Sequence, residues 1–247
     1  MKKALLLLLL LPIALMAQNP YATGGLVDKE AYARIPVKAR QLTRSYTALP
    51  TRASLVSYCP TPGNQGVYST CTSWAIAYAA RTIMEAQANG ITDPATNARE
   101  AFSPTLVYAL IKDPSDRGCN VGTSIERGLE LLMQRGVPKK KNYYEDCATS
   151  IPAYAYSDAA NYKIQDYFTL FSYNENAQGK IEATKMSLSE GRPVLILMEC
   201  FNSFSYAKEC WNGRADYSRG YHSMCVVGYD DEVHGGAFRI LNSWGTE

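Results

Sequence analysis

One helix without a polar face constrains this chain more than any other feature. From Cys71 the sequence reads CTSWAIAYAARTIMEAQANG, setting Trp74, Ile76, Ala77, Tyr78, Ala80, Ile83 and Met84 around most sides of a helix that stops near Asn89-Gly90. A helix apolar on nearly every side belongs in an interior, so the rest of the chain has to close around it. The turn-forming run Pro60-Thr61-Pro62-Gly63 leads in and leaves Cys71 at the helix mouth.

The remaining elements divide the chain in two. A second helix is predicted from Ser103-Pro104, a cap followed by a first-turn proline, through Leu106, Val107, Leu110 and Ile111. A third starts at Thr123-Ser124-Ile125-Glu126, read as a capping box, and ends at Arg135-Gly136. Beyond Tyr143 the character changes: YKIQDYFTLF reads as a strand, Ile181 to Glu190 as a helix closed by Gly191, and PVLILMEC as a buried strand. Two late strands, HSMCVVGYD and GAFRILNSW, flank a polar loop and predict a hairpin. His222 and Trp244 are equidistant from Val233 in that loop, so they oppose each other and share a face with Asn242. The fold class is therefore α+β, a helical first half and a strand-rich second half.

The N-terminus bears on compartment. Met1-Lys2-Lys3, the leucines from Leu5 to Leu11 and small residues ending at Ala17 read as a secretory signal peptide spanning 1–17, too short to cross a bilayer comfortably. Residues 18–48 are polar, without sustained periodicity, and read as an N-terminal extension or short pro-segment. The net charge of +2 and pI near 8.1 leave no excess to seek a polyanion, and Lys139-Lys140-Lys141 reads as a solvated turn. The expectation is a secreted, periplasmic or extracellular monomer that binds neither nucleic acid nor, once the leader is removed, membrane. Seven cysteines leave at least one thiol unpaired within a single chain. No CxxC pair is present and the only histidines are His222 and His234, which argues against structural zinc.

A thiol attacks a carbonyl as thiolate, and a helix N-terminus favours that anion at Cys71. His222 is the better candidate base, because the amide of Asn242 can hold its ring; His234 reads as an exposed turn residue. Singly, Cys71 is as easily an inert buried thiol and Asn242 a turn former; together they point to nucleophilic chemistry.

These residues carry a resemblance. QGVYSTCTSWA resembles the nucleophile segment of the papain-like cysteine peptidases, and HSMCVVGYDD with FRILNSWG resembles that family's histidine strand and Asn-Ser-Trp-Gly signature. Gly118-Cys119-Asn120-Val121-Gly122 is similar to the glycine-rich segment bordering the family's substrate cleft. The chain is thereby identified as a secreted, bacterial-like member over roughly residues 49–247. The resemblance implies a two-lobe fold, with a helical lobe at about 60–150, a barrel-like strand lobe at about 151–247 and the active-site cleft between them. It implies that Cys71 is the nucleophile, His222 the base and acid, Asn242 the orienting residue, and Gln65 with the Cys71 N–H the oxyanion hole. Trp244 would shield the Asn–His bond and Gly122 would let a substrate backbone approach. The implied activity is endopeptidase hydrolysis of polypeptides through a thioester, without cofactor or metal; a catalytically inactive peptide-binding module and a thiol-dependent transpeptidase are the alternatives.

Several positions depart from the family's pattern. Thr72 stands where tryptophan usually follows the nucleophile, Ser69-Thr70 where Gly-Ser is common, and Tyr68 where a cysteine is often paired. Cys119 and Cys147 thus lack their customary mates, and the resemblance implies that they pair with each other. Cys200 and Cys210, flanking a loop, are a second candidate pair, while Cys59 and Cys225 stay open. The sequence reaches Glu247 just past the signature, where the family continues into further strands, so the lobe is expected to be truncated.

Overall fold

The structure, a computed structural model, describes residues 22–38 and 49–246. The expected leader, residues 1–17, lies outside them. Among the described residues no helix is long and apolar enough to cross a membrane.

After α1 (Lys29–Arg34) and β1 (Arg52–Ser54), the central helix α2 runs over 71–88, with π-helical pairing across Trp74–Arg81. It is buried from both sides, as its composition demanded. Ile76 and Ala77 pack with Phe102, Val107, Ile111 and Leu132 of the helical lobe. Ala79 and Ile83, one turn further, pack with Leu188, Val194, Cys225 and Val227 of the sheet lobe. Removing an isoleucine side chain from water contributes about 1.5–3 kcal/mol, so α2 ties the two lobes together by contributing to both cores.

The helical lobe adds α3 (Pro94–Arg99), α4 (Pro104–Ile111) and α5 (Ile125–Gln134). Ser103 caps α4 by accepting from Leu106 N–H, as its sequence predicts. The start of α5 is one residue later than expected. Ser124 is the cap, accepting from Arg127 N–H, and Thr123 is withdrawn from capping because its N–H donates to the Gly24 carbonyl and its carbonyl accepts from Leu26.

The second half contributes α6 (Ala153–Ala159), α7 (Ala177–Ser189), β2 (Val194–Phe201), α8 (Asn202–Ser205), β3 (Ser218–Asp230) and β4 (Ala237–Leu241). All four strands pair antiparallel, with β3 central: β2 and then β1 occupy one edge, and β4 the other. Cys225 opposes Leu241 and Val226 opposes Ile240, the register implied by a loop centred on Val233. A bulge past Val226 shifts the turn end by one residue. The expected strand at 162–171 does not form. Ile164 bonds to the end of α5 and Tyr162 packs edge-on against Phe102, so both side chains face helices and no sheet edge is at hand; Thr169 alone makes a β-bridge, to Val37.

Cys119 and Cys147 are joined by a disulfide. Cys200 and Cys210 are free thiols, the first buried at the end of β2 and the second exposed, which overturns the second expected pair.

Candidate active site

Cys71 opens α2, with three residues of that first turn fully buried, and its thiol is 0 % exposed. The N–H of Ser223, the residue after His222 in β3, reaches Cys71 Sγ at 3.5 Å, so the first turn of α2 and the middle of β3 meet at this sulfur. His222 is fully buried too, and its Nε2 lies 2.7 Å from Asn242 Oδ1. That oxygen also accepts from the Ser243 N–H at 2.8 Å, which identifies it as the acceptor. Nε2 therefore carries the ring proton, and Nδ1 is left as a bare acceptor, buried and without a hydrogen-bond partner.

Trp244 stacks on the imidazole with ring centroids 4.5 Å apart and 22° between planes. β4 ends at Leu241, so Trp244 is held by a separate bridge to Asn64 instead of the hairpin ladder. Gln65 lies on the same cross-lobe seam. Its N–H bonds the Ser243 carbonyl, its Oε1 accepts from Ser243 Oγ at 2.6 Å, and its Nε2 donates to the Tyr68 carbonyl at 2.8 Å. Ser243 thus orients both Asn242 and Gln65. Sequence reasoning passed over it, although it sits inside the Asn-Ser-Trp-Gly signature.

Burial sets the protonation of the pair. It pushes the Cys71 thiol up from its ordinary value, opposed by the Ser223 amide, the Thr72 hydroxyl and the Gly24 and Thr72 amides. Burial likewise lowers His222 to about 4, against the raising effect of the Asn242 bond and with a small further push from Arg219. At neutral pH both groups are uncharged here.

The N-terminal segment occupies the cleft. Ala22 places its carbonyl on Gln65 Nε2 at 3.2 Å and on Trp244 Nε1 at 3.1 Å. Gly24 and Gly25 donate to the Tyr221 carbonyl of β3, while Gly24 O and Leu26 N bond Thr123 on the opposite wall. Gly25 bridges Thr123 in parallel and Tyr221 antiparallel, so this strap is a strand shared by both lobes. It fits because glycines line it. A Cβ on Gly24 would fall 2.3 Å from Ser69 O, and one on Gly122 would fall 2.2 Å from Gly24 O. Beyond the cleft the strap is tied down by Tyr32 Oη on the Phe171 carbonyl and by exchanged bonds of Pro36 and Lys38 with Thr169.

The wall bearing Gly122 is irregular backbone around Asp116. Its carboxylate accepts from the Asn120 and Val121 N–H groups and from Tyr108 Oη at 2.7 Å, and the Lys112 ammonium holds the Asp116 carbonyl. Nothing in the sequence pattern singled Asp116 out. All six expected site residues, Cys71, His222, Asn242, Gln65, Gly122 and Trp244, border this one seam. His234 lies apart, in the exposed hairpin loop with φ 53°. No cluster of three or more His, Cys, Asp or Glu able to hold a metal occurs among the described residues.

The fold is shared with several solved structures. Xylellain, a cysteine protease from Xylella fastidiosa, aligns with a TM-score of 0.69 at 24 % identity, over 92 % of this chain and 85 % of its own. Digestive procathepsin L2 from the larval midgut of Tenebrio molitor aligns at 0.68 and 16 % identity, covering 92 % and 69 %. Procathepsin B S9 of Trypanosoma congolense gives 0.64 and 14 %, over 92 % and 78 %. No curated protein matches the chain significantly. The family model described as papain family cysteine protease matches residues 63–247, and the chain belongs to that family. It is a papain-like cysteine peptidase with the family's two-lobe α+β fold.

Proposed function

We propose that the protein is an exported endopeptidase that hydrolyses polypeptides with Cys71, His222, Asn242 and Gln65, and that residues 18–48 are a short pro-segment holding it latent. The observation carrying this reading is the fixed tautomer of His222: Asn242 accepts the Nε2–H and leaves Nδ1 a buried acceptor with no hydrogen-bond partner, while the N–H of the next residue, Ser223, reaches the Cys71 sulfur. With the cleft open, Nδ1 takes the Cys71 proton and the thiolate attacks the scissile carbonyl carbon. The Gln65 amide and the Cys71 N–H receive the developing oxyanion. As that intermediate collapses, the imidazolium returns its proton to the leaving amine and the thioester remains. Water, deprotonated by the same Nδ1, then attacks the thioester; the acid product leaves and the thiol is restored. Trp244 keeps water off the Asn–His bond throughout.

Latency is supported by what the strap occupies. Ala22 takes up the Gln65 donor, Gly24 lies against Gly122, where a substrate backbone would approach, and Cys71 has no exposed surface. The disulfide and the leader-like N-terminus support an extracytoplasmic setting.

A thiol-directed epoxide probe on the full chain tests both parts. Cys71 should be labelled slowly in the wild type and rapidly in Gly24→Ala, whose added Cβ drives the strap off Ser69. His222→Ala in the Gly24→Ala background should abolish labelling and peptide hydrolysis. Labelling indifferent to His222 would refute the dyad; equal rates with and without the Gly24 substitution would refute the strap. A product carrying an added amine in place of water would identify a transpeptidase.

A further inference from the structure

Thr72 and Ser223 each follow by one residue a member of the proposed dyad, and they touch each other. Thr72 Oγ1 lies 2.9 Å from Ser223 Oγ and 2.9 Å from the Thr123 carbonyl oxygen. A carbonyl only accepts, so the Thr72 proton goes to Thr123, and Ser223 donates to Thr72. The bonds thus form a directed chain from β3, through the first turn of α2, to the cleft wall, linking positions 151 residues apart. Both side chains are buried, at 0 % and 1 % exposure, where water cannot substitute for either partner.

The chain is anchored on the reacting sulfur. The Ser223 N–H that reaches Cys71 Sγ belongs to the residue whose hydroxyl is gripped by Thr72, and the Thr72 amide also acts on that thiol. A tryptophan, the residue the family's plant and animal enzymes usually carry after the nucleophile, has no hydroxyl with which to make this bond. The strap does not supply it either, since Gly25 passes over Ser223 Oγ without a side chain.

We propose that Thr72 and Ser223 are positioning residues, a hydroxyl clasp across the lobe seam that sets the Cys71 sulfur against His222 for peptide hydrolysis. The clasp holds the first turn of α2 and the centre of β3 at one separation, and through Thr123 it fixes the direction of a carbonyl on the cleft wall. This rests on the dyad reading given above, but its test does not require peptidase activity.

The experiment is the pH dependence of Cys71 alkylation by iodoacetamide in the full chain, read by mass spectrometry, for the wild type, Thr72→Val, Ser223→Ala, the double variant and Thr72→Ser. The pH midpoint reports the thiol, whereas the absolute rate also reflects how often the strap opens. Thr72→Val and Ser223→Ala should move the midpoint to higher pH and slow alkylation at neutral pH by about tenfold, the worth of one buried hydrogen bond. Thr72→Ser should restore the wild-type profile, and the double variant should be no worse than either single one. Should Thr72→Val fail to fold, Ser223→Ala and Thr72→Ser still decide the matter. Midpoints that stay at the wild-type value while only Tm falls would reduce the clasp to a satisfied core pair, and additive effects in the double variant would overturn it. A wild type that alkylates normally but cleaves no peptide would refute the peptidase reading alone.

Discussion

The two walls of the cleft are built by opposite means. The histidine wall is regular: β3 is paired along both edges, and His222, Asn242 and Trp244 come together through a hairpin and its immediate continuation. The cysteine wall has one regular element, the first turn of α2, and otherwise consists of loops at 63–70 and 116–122 held by individual bonds. Ser69 bonds the Cys119 carbonyl, Asp116 gathers two backbone N–H groups, and the disulfide pins the loop to Cys147. A strand distributes its position over many ladder bonds, so losing one matters little. A loop concentrates it in a few, so each is individually expensive.

Four measurements bear on this contrast. The largest effect should come from Gln65→Ala on the cysteine wall, lowering kcat/KM for a peptide substrate by 10²–10³-fold with the fold intact; a loss under tenfold would remove Gln65 from the oxyanion hole. Next, Cys147→Ser opens a loop with a sequence separation of 28, which should cost about 3.5 kcal/mol in urea unfolding on the chain-entropy estimate. A cost near zero would mean that the Asp116 node suffices without the disulfide.

The histidine wall should respond to acid. His222 is held neutral down to about pH 4 when folded, whereas in the unfolded chain it binds a proton near 6.5. Between these values the unfolded state carries more protons, so stability is full above about pH 6.5 and falls as pH drops towards 4, by about 3 kcal/mol in all. His222→Gln should flatten that part of the urea-midpoint profile; an unchanged slope would assign the acid sensitivity to carboxylates. Smallest in global stability is Asp116→Ala, about 2 kcal/mol for the lost charge-assisted bonds. Its sharper signature is local, with hydrogen exchange accelerating at Asn120 and Val121 while β3 amides keep their protection. Uniform acceleration across both walls would erase the distinction.

The same contrast explains what was legible beforehand. Ser103-Pro104 announced its helix, Val233 centred its hairpin, and the apolar girdle of α2 announced burial between two cores, because caps, turns and periodicity act over a few residues. The stretch at 162–171 carried an equally good strand pattern and formed none, since a strand needs an edge and Tyr162 and Ile164 had helices to pack against instead. The α5 cap shifted to Ser124 for a similar reason: Thr123 found partners in a segment nearly one hundred residues upstream, roughly the reach of a whole small domain. At the site, each expected residue belonged to a motif readable in place, whereas the Ser243–Gln65 and Thr72–Ser223 bonds join partners remote in sequence, and Asp116 gathers its near neighbours only once the irregular wall loop has folded around it.

By itself the sequence determined a buried central helix with a cysteine at its mouth, a late hairpin presenting a histidine, and a tail of signature residues after it. Tertiary structure alone decided that Asn242 and Gln65 answer to one serine, that a glycine pair threads the cleft, and that a threonine and a serine join hands behind the sulfur. Local pattern sets which backbone a segment prefers, but a hydrogen bond across a seam exists only when two distant segments have already been packed to within three ångströms.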